Sequence, residues 1–337
     1  MKGYKINKPL ELIETEVNVD NNLQSSSKVR IVKALITTAD VLRFNGTIPT
    51  NKIIGSAGIG IVNEADANLL DIEKNKRVFM QSKRGCGECF RCIDGNKSRC
   101  LAPLTAGEDF DGFLADFMNA PNDSSFILPE SIDDNKALFI DKINLALNII
   151  DTLKVNKGDY VTIVGANNLG VILAELLIYY QAVPILLTDN EEEAEIARKS
   201  DVYYVLSDKE DWNKEISVIT SNRMTDKVVF ISDCNIPIFK AFSLASKNAS
   251  IVYTGDYSKS NAISFSTAVK KQLNIICLNS GFGYTESSIN LITNNAINFN
   301  HLKVNVIKYK DVPETLKKLN EDWNNDLSVT DTIVELI

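Results

Sequence analysis

One histidine, His301, is all the imidazole this 337-residue chain carries, so no site that needs two imidazoles can be built from it. Basic charge is also short: 36 Lys and Arg face 44 Asp and Glu, a net charge of -8. Without a basic stretch to offset the acid, a general nucleic-acid role is excluded. No apolar run approaches the roughly 20 residues that a membrane helix needs. Residues 1–7 bring two lysines but no apolar signal core behind them. A cytoplasmic protein with no nucleic-acid and no membrane partner is expected. Glycine is sparse, at 16 residues.

What is present is ordinary globular material, 45% hydrophobic and 24% charged. The length suggests two domains. The first 110 residues read as short strands and turns, with strand candidates at 28–36, 52–65 and 77–82. Beyond residue 150 the pattern alternates. Apolar runs at 160–165, 183–189, 202–206, 227–233, 250–255 and 273–279 are separated mostly by charged, helix-favouring stretches, and 168–181 is helical in pattern. Such alternation predicts an α/β fold with a doubly wound parallel sheet. A last strand at 301–309 and a helix at 312–323 close the chain.

Four of six cysteines, Cys86, Cys89, Cys92 and Cys100, are spaced C-x2-C-x2-C-x7-C. Four thiolates at such intervals can surround Zn²⁺ at about 2.3 Å each. Gly85, Gly87 and Gly95 let the backbone turn, and Lys83, Arg84, Arg91, Lys97 and Arg99 can offset the charge. An iron–sulfur cluster is the competing use of the first three cysteines, although its fourth ligand usually sits closer and before a proline. With four cysteine ligands no coordination position stays open, so one structural zinc is expected. Cys234 and Cys277 are read as small apolar residues.

The run Gly165-Ala166-Asn167-Asn168-Leu169-Gly170 follows a strand and opens a helix, the context of a dinucleotide phosphate loop. Asp189 ends the next strand, 24 residues after Gly165, where a carboxylate would bond ribose hydroxyls. With Glu191, Glu192 and Glu193 behind it, NAD is favoured over NADP. The second glycine of the fingerprint is Asn167, which tolerates a left-handed backbone better than other non-glycine residues. A sheet of this shape that binds no nucleotide is the alternative.

The order of these features resembles the zinc-containing alcohol dehydrogenases of the medium-chain dehydrogenase/reductase family, over nearly the whole chain. The segments 109–121 and 128–139 look like that family's strand pair and the stretch after it. The resemblance implies a GroES-like β-rich substrate domain at 1–148 with a zinc lobe at 84–102. It implies a Rossmann domain at 149–297 and a return to the first domain at 298–337. It also implies positions for a catalytic zinc, and these positions hold Thr37, Ser56, Ala57 and Asp141. The proton-relay position holds Ala39. The resemblance therefore suggests that the structural metal is kept and the catalytic metal is lost. Glu286 stands where the family often has an arginine near the cofactor phosphates, and Asn248-Ala249 replaces a Gly-Gly turn.

Thr37, Thr38, Ser56 and Asp141 are the candidate catalytic residues, the hydroxyls as donors to a substrate carbonyl and Asp141 as a base. Gly165, Asn167, Asn168, Leu169, Gly170 and Asp189 are the candidate cofactor-binding residues. Asp40 is read as satisfying a backbone turn. Tyr253, Tyr257 and Tyr284 fall near the expected nicotinamide end and are read as packing, with a proton donor as the alternative; His301 is read as structural. The expected activity is NAD(H)-dependent hydride transfer to or from a small carbonyl, activated alkene or iminium. A non-catalytic binding or assembly module and a redox-neutral enzyme with tightly held NAD are the alternatives. The resemblance also implies that 273–279 pairs with its copy in a second subunit, giving a homodimer or homotetramer.

Overall fold

The computed structural model describes residues 2–16, 26–65, 73–207, 211–232, 234, 236–255 and 265–336. The chain divides into two compact units. One is Met1–Asp141 with Thr285–Thr293 and Val304–Ile337, the other Lys142–Tyr284 with Asn294–Lys303. The division falls in the first turn of the helix Ile140–Thr152, not at 148/149, and an unbroken helix leaves no linker composition to mark it.

The first unit opens with an antiparallel hairpin, β1 (Lys2–Lys8) and β2 (Glu11–Glu16). Its main sheet uses β3 (Ser26–Ile36), β4 (Ala57–Glu64) and β5 (Arg77–Met80). A small ribbon of β6 (Lys83–Arg84) and β7 (Leu104–Thr105) carries the cysteine lobe. Then come β8 (Phe117–Pro121) and β9 (Ser125–Ile127). The 52–65 run becomes strand only from Ala57, because Gly55 takes φ +113 and turns the chain first. In β3, Val29, Ile31, Ala34 and Ile36 are buried in one cluster with Phe44, Phe113 and Leu114.

The second unit contains β10 (Tyr160–Val164), β11 (Val183–Leu187), β12 (Tyr204–Leu206), β13 (Thr225–Ile231), β14 (Ala245–Thr254) and β15 (Asn274–Leu278). They form one parallel sheet in the order β12-β11-β10-β13-β14-β15. Ile163, Ile185, Leu186, Val229 and Val252 are fully buried, as expected of strands covered on both faces. The strand order reverses between β10 and β13, which is where ligands bind in such sheets. β15 is the edge strand, and Cys277 on it is exposed, which does not suit its reading as a small apolar residue.

The chain returns to the first unit with β16 (Val304–Lys308), the helix Val312–Asn324 and β17 (Asp331–Glu335). β17 pairs antiparallel with β3, setting Thr332 opposite Ile36. This strand was not legible in the sequence. Among the described residues, no helix is long and apolar enough to cross a membrane.

Candidate active site and zinc centre

The cysteine lobe hangs between β6 and β7. Cys89 precedes the short helix Phe90–Ile93 and Cys100 follows the turn Lys97–Arg99. The four Sγ atoms lie within 4.8 Å of one another, with Cys86 to Cys92 at 4.0 Å and Cys89 to Cys100 at 3.9 Å. A tetrahedron of thiolates about 2.3 Å from zinc has edges of roughly 3.8 Å, so the donors fit the metal. Gly85 has a steric reason: a Cβ there would stand 2.8 Å from the Cys92 Sγ. Backbone N–H groups already serve the thiolates, Cys86 N donating to Cys100 Sγ at 3.2 Å and Cys89 N to Cys86 Sγ at 3.4 Å. The Leu101 and Cys92 N–H groups pull the Cys89 thiol below its usual range. Against the pull of the Gly87 N–H, burial and the neighbouring thiols push Cys92 up. Zinc takes thiolates, so binding it would release the thiol protons that remain. Of the surrounding cations, Lys97 pairs with Asp123 at 2.6 Å, and Arg84 and Arg91 lie over the rings of Phe110 and Phe90.

A second polar cluster lies in the first unit, around the helix Thr38–Phe44. Thr37 caps that helix, and Asp40 answers by accepting the Thr37 N–H at 3.1 Å. This is the reciprocal capping arrangement, and it confirms the turn-satisfying role read for Asp40. Asp40 does more. It is fully buried, and its oxygens also accept from Gly55 N at 2.9 Å, Ser56 Oγ at 2.7 Å and Arg43 Nη1 at 3.0 Å. Arg43 reaches Ser56 Oγ at 3.4 Å, and its Nη2 donates to Glu108 Oε1 at 2.7 Å. Thr37 Oγ1 donates to Ser56 Oγ at 2.9 Å.

The hydroxyl hydrogens thus run inward, from Thr37 to Ser56 to Asp40. What the outer end offers is the Thr37 oxygen as an acceptor, where the sequence suggested a donor. Thr37 and Ser56 are brought into direct contact. Thr38 is buried in the first helical turn, and Asp141 Oδ2 accepts the Ser82 N–H at 3.0 Å. Arg43 and Glu108 were missed. The signal for Arg43 was available: a charge three residues after Asp40 inside an apolar helical run.

Among the described residues, the four cysteines are the one group of three or more potential metal ligands drawn together. At the other positions where the family resemblance implies a metal, Thr37 and Ser56 offer hydroxyls bonded to each other, Ala57 offers no side-chain donor, and Asp141 offers a carboxylate that accepts the Ser82 N–H. One carboxylate without thiolate or imidazole does not fit a zinc ion.

The phosphate loop lies in the second unit, after β10. Gly165 has φ +111, and a Cβ on Gly170 would stand 2.1 Å from the Gly165 carbonyl oxygen, so only glycine allows the helix this close to the strand. Asn167 sits at φ −65 and ψ 179, extended and not left-handed. It is the helix cap, and its side chain accepts the Gly170 N–H at 3.2 Å. The positive φ that the sequence reading allowed for an asparagine is found instead at Asn248, φ +62, where the family turn has glycine. Asn168 is buried and clamps Lys303, donating to its carbonyl at 2.8 Å and accepting its N–H at 2.9 Å. Leu169 is buried. Asp189 is exposed just beyond β11. Of the acidic residues after it, Glu193 accepts from Thr188 Oγ1, Glu192 pairs with Lys303, and Glu191 with Arg198. The glycine packing, the helix N-terminus at the switch point and the exposed Asp189 fit a dinucleotide.

Of the tyrosines, Tyr253 stacks on Phe230, Tyr284 donates to Asp151 at 2.7 Å, and Tyr257 lies outside the described residues. Glu286 is exposed in the first turn of the helix Thr285–Thr293.

Residues 24–130 match the family model of the alcohol dehydrogenase GroES-like domain. An uncharacterized zinc-type alcohol dehydrogenase-like protein of Haemophilus influenzae is 24% identical over 334 residues, covering 98% of each chain. The starvation-sensing protein RspB of Escherichia coli K12 is 24% identical over 281 residues, 82% of each. In three dimensions, the alcohol dehydrogenase RspB of E. coli CFT073, solved with NADH, superposes with a TM-score of 0.84 at 20% identity, covering 100% of this chain and 99% of that one. A GroES-like β domain with a four-cysteine lobe, joined in one chain to a Rossmann sheet, is the fold of the medium-chain alcohol dehydrogenases. Residues 24–130 thus match that GroES-like domain, and the chain over nearly its whole length is similar to a zinc-type alcohol dehydrogenase-like protein and shares the fold of these dehydrogenases.

Proposed function

We propose that the chain is an NAD(H)-dependent oxidoreductase that keeps one structural zinc and works without a catalytic one. The observation that carries this reading is the hydroxyl pair Thr37–Ser56, tied to Asp40 and Arg43 at the positions implied for metal ligands. The relative solved with NADH and the glycine-packed loop at the switch point support the cofactor. Bound nicotinamide would supply the hydride acceptor or donor. The Gly170 region and the helix N-terminus would hold its phosphates, and Asp189 its ribose.

In the substrate site, Thr37 Oγ1 would accept a hydrogen bond from an alcohol O–H or an iminium N–H, with Ser56 and Asp40 fixing its orientation. Without a metal to polarise an oxygen, the site suits a small carbonyl, activated alkene or iminium, the last two needing least stabilisation of an oxyanion. Asp141, which accepts the Ser82 N–H, would be the carboxylate used for proton transfer or cation binding. The edge strand β15 would pair with its copy in a homodimer or homotetramer.

A second reading, a zinc-stabilised binding module without catalysis, is favoured by Asn167, which occupies a loop N–H that a phosphate would otherwise use. Titration with NADH, followed by nicotinamide fluorescence, separates the two. Saturable binding in the micromolar range is expected; no binding at millimolar NADH would sink the oxidoreductase reading.

A further inference from the structure

We propose that Arg43 is the resident cation of the hydroxyl pocket, a positioning residue that keeps a divalent metal out and, through Asp40, fixes Ser56 and Thr37. The inference rests on the metal-free reading of the site given above and says what holds the site in that state.

The guanidinium is placed, not floating. Its side chain is only 3% exposed, and Asp40 and Glu108 grip its two terminal nitrogens at 3.0 and 2.7 Å. Gly107 backs it: a Cβ at that position would stand 3.2 Å from the Arg43 Cζ, so a larger residue would press on the charge. Arginine does not shed its proton when buried, unlike lysine. Nη1 also lies 3.4 Å from Ser56 Oγ. Any metal bound through a ligand at position 56 would therefore meet the guanidinium at short range and would have to compete with it for Asp40.

The carboxylates on the other side are already committed. Asp40 takes four donors, from Thr37 N, Gly55 N, Ser56 Oγ and Arg43 Nη1. Recruiting it to a metal would strip bonds from the helix cap and from the guanidinium together. In this arrangement the hydroxyl pair is the outward part of a network whose charge balance is set by Arg43. Thr37 and Ser56 are half-buried, whereas Asp40 and Arg43 are closed off.

The test restores ligand chemistry around the charge. Thr37→Cys, Ser56→His and Ala57→Glu are combined in the full chain, with Asp141 retained. Three versions differ at position 43: Arg kept, Arg43→Lys and Arg43→Gln. Each is loaded with Zn²⁺ alone and desalted, and its zinc is counted by mass spectrometry; cobalt substitution reports thiolate ligation by absorption. The lobe zinc and a cooperative melt serve as the folding control. The versions carrying a positive charge at 43 are expected to hold about one zinc per chain and the Gln version about two. A second zinc with Arg43 in place overturns the proposal, as does a folded Gln version that stops at one. Should the Gln version fail to fold, Arg43→Met with Asp40→Asn removes both halves of the ion pair, and the same counts decide. Because the readout is metal content, it stands apart from the NADH titration that tests the oxidoreductase reading.

Discussion

Ser56 Oγ donates to Asp40 Oδ2 at 2.7 Å, so a hydroxyl at a position implied for a metal ligand is held by a carboxylate that is itself fully buried. That bond fixes which way the hydroxyl points, and Thr37 behind it inherits the same direction.

The Asp40–Arg43 pair is buried on both sides, with 0% and 3% of the side chains exposed. Removing Asp40 leaves the guanidinium with Glu108 as its remaining carboxylate partner and strips the bonds to Thr37 N, Gly55 N and Ser56 Oγ, a loss of about 3 kcal/mol, whereas removing both Asp40 and Arg43 costs less. Asp40→Ala is therefore expected to lose that much in urea unfolding. Asp40→Ala with Arg43→Met is expected to recover part of it. Simple additivity of the two losses would count against coupling.

Asn167 takes the Gly170 N–H for its own cap. Asn167→Gly frees that donor and removes a side chain from the phosphate approach, at a stability cost of only a few tenths of a kcal/mol. NADH affinity is expected to rise roughly 3- to 10-fold, equivalent to about 1 kcal/mol. Unchanged affinity would mean that Asn167 does not obstruct the phosphates.

Glu175 lies buried in the helix Asn168–Tyr179, and burial pushes its carboxyl up to about 7, opposed by the Asn298 N–H and Ser200. Its folded value lies above the unfolded 4.5, so the protonated form is the one the fold favours. The group costs no stability below pH 4.5, and the cost grows as pH rises to about 7 and then levels. Glu175→Gln should therefore stabilise by on the order of 2–3 kcal/mol at pH 8 and by little at pH 4. Urea unfolding at the two pH values checks this; an equal effect at both would refute it.

The parallel sheet was legible because strands buried on both faces are written as continuous apolar runs, such as Val161 to Val164 and Pro184 to Leu187. The lobe was legible because its four ligands are close in sequence. β17 was not, since its five residues earn their place only by pairing with β3, far away in the chain. The unit boundary was hidden inside a continuous helix. At the hydroxyl site, Thr37 and Ser56 were found through the family resemblance. Their partners were not: Arg43 meets Glu108 across 65 residues, a contact that only the fold creates. The sign of the Thr37 hydrogen bond likewise depends on Asp40 lying beneath Ser56.

The central claim is that this chain keeps a structural metal and has replaced a catalytic one with a hydroxyl–carboxylate–guanidinium network. Zinc content of the purified native protein, measured by mass spectrometry against protein concentration after desalting, tests it most directly. The account predicts about one zinc per chain, lost when Cys92 is changed to Ser. About two per chain in the native protein would contradict it.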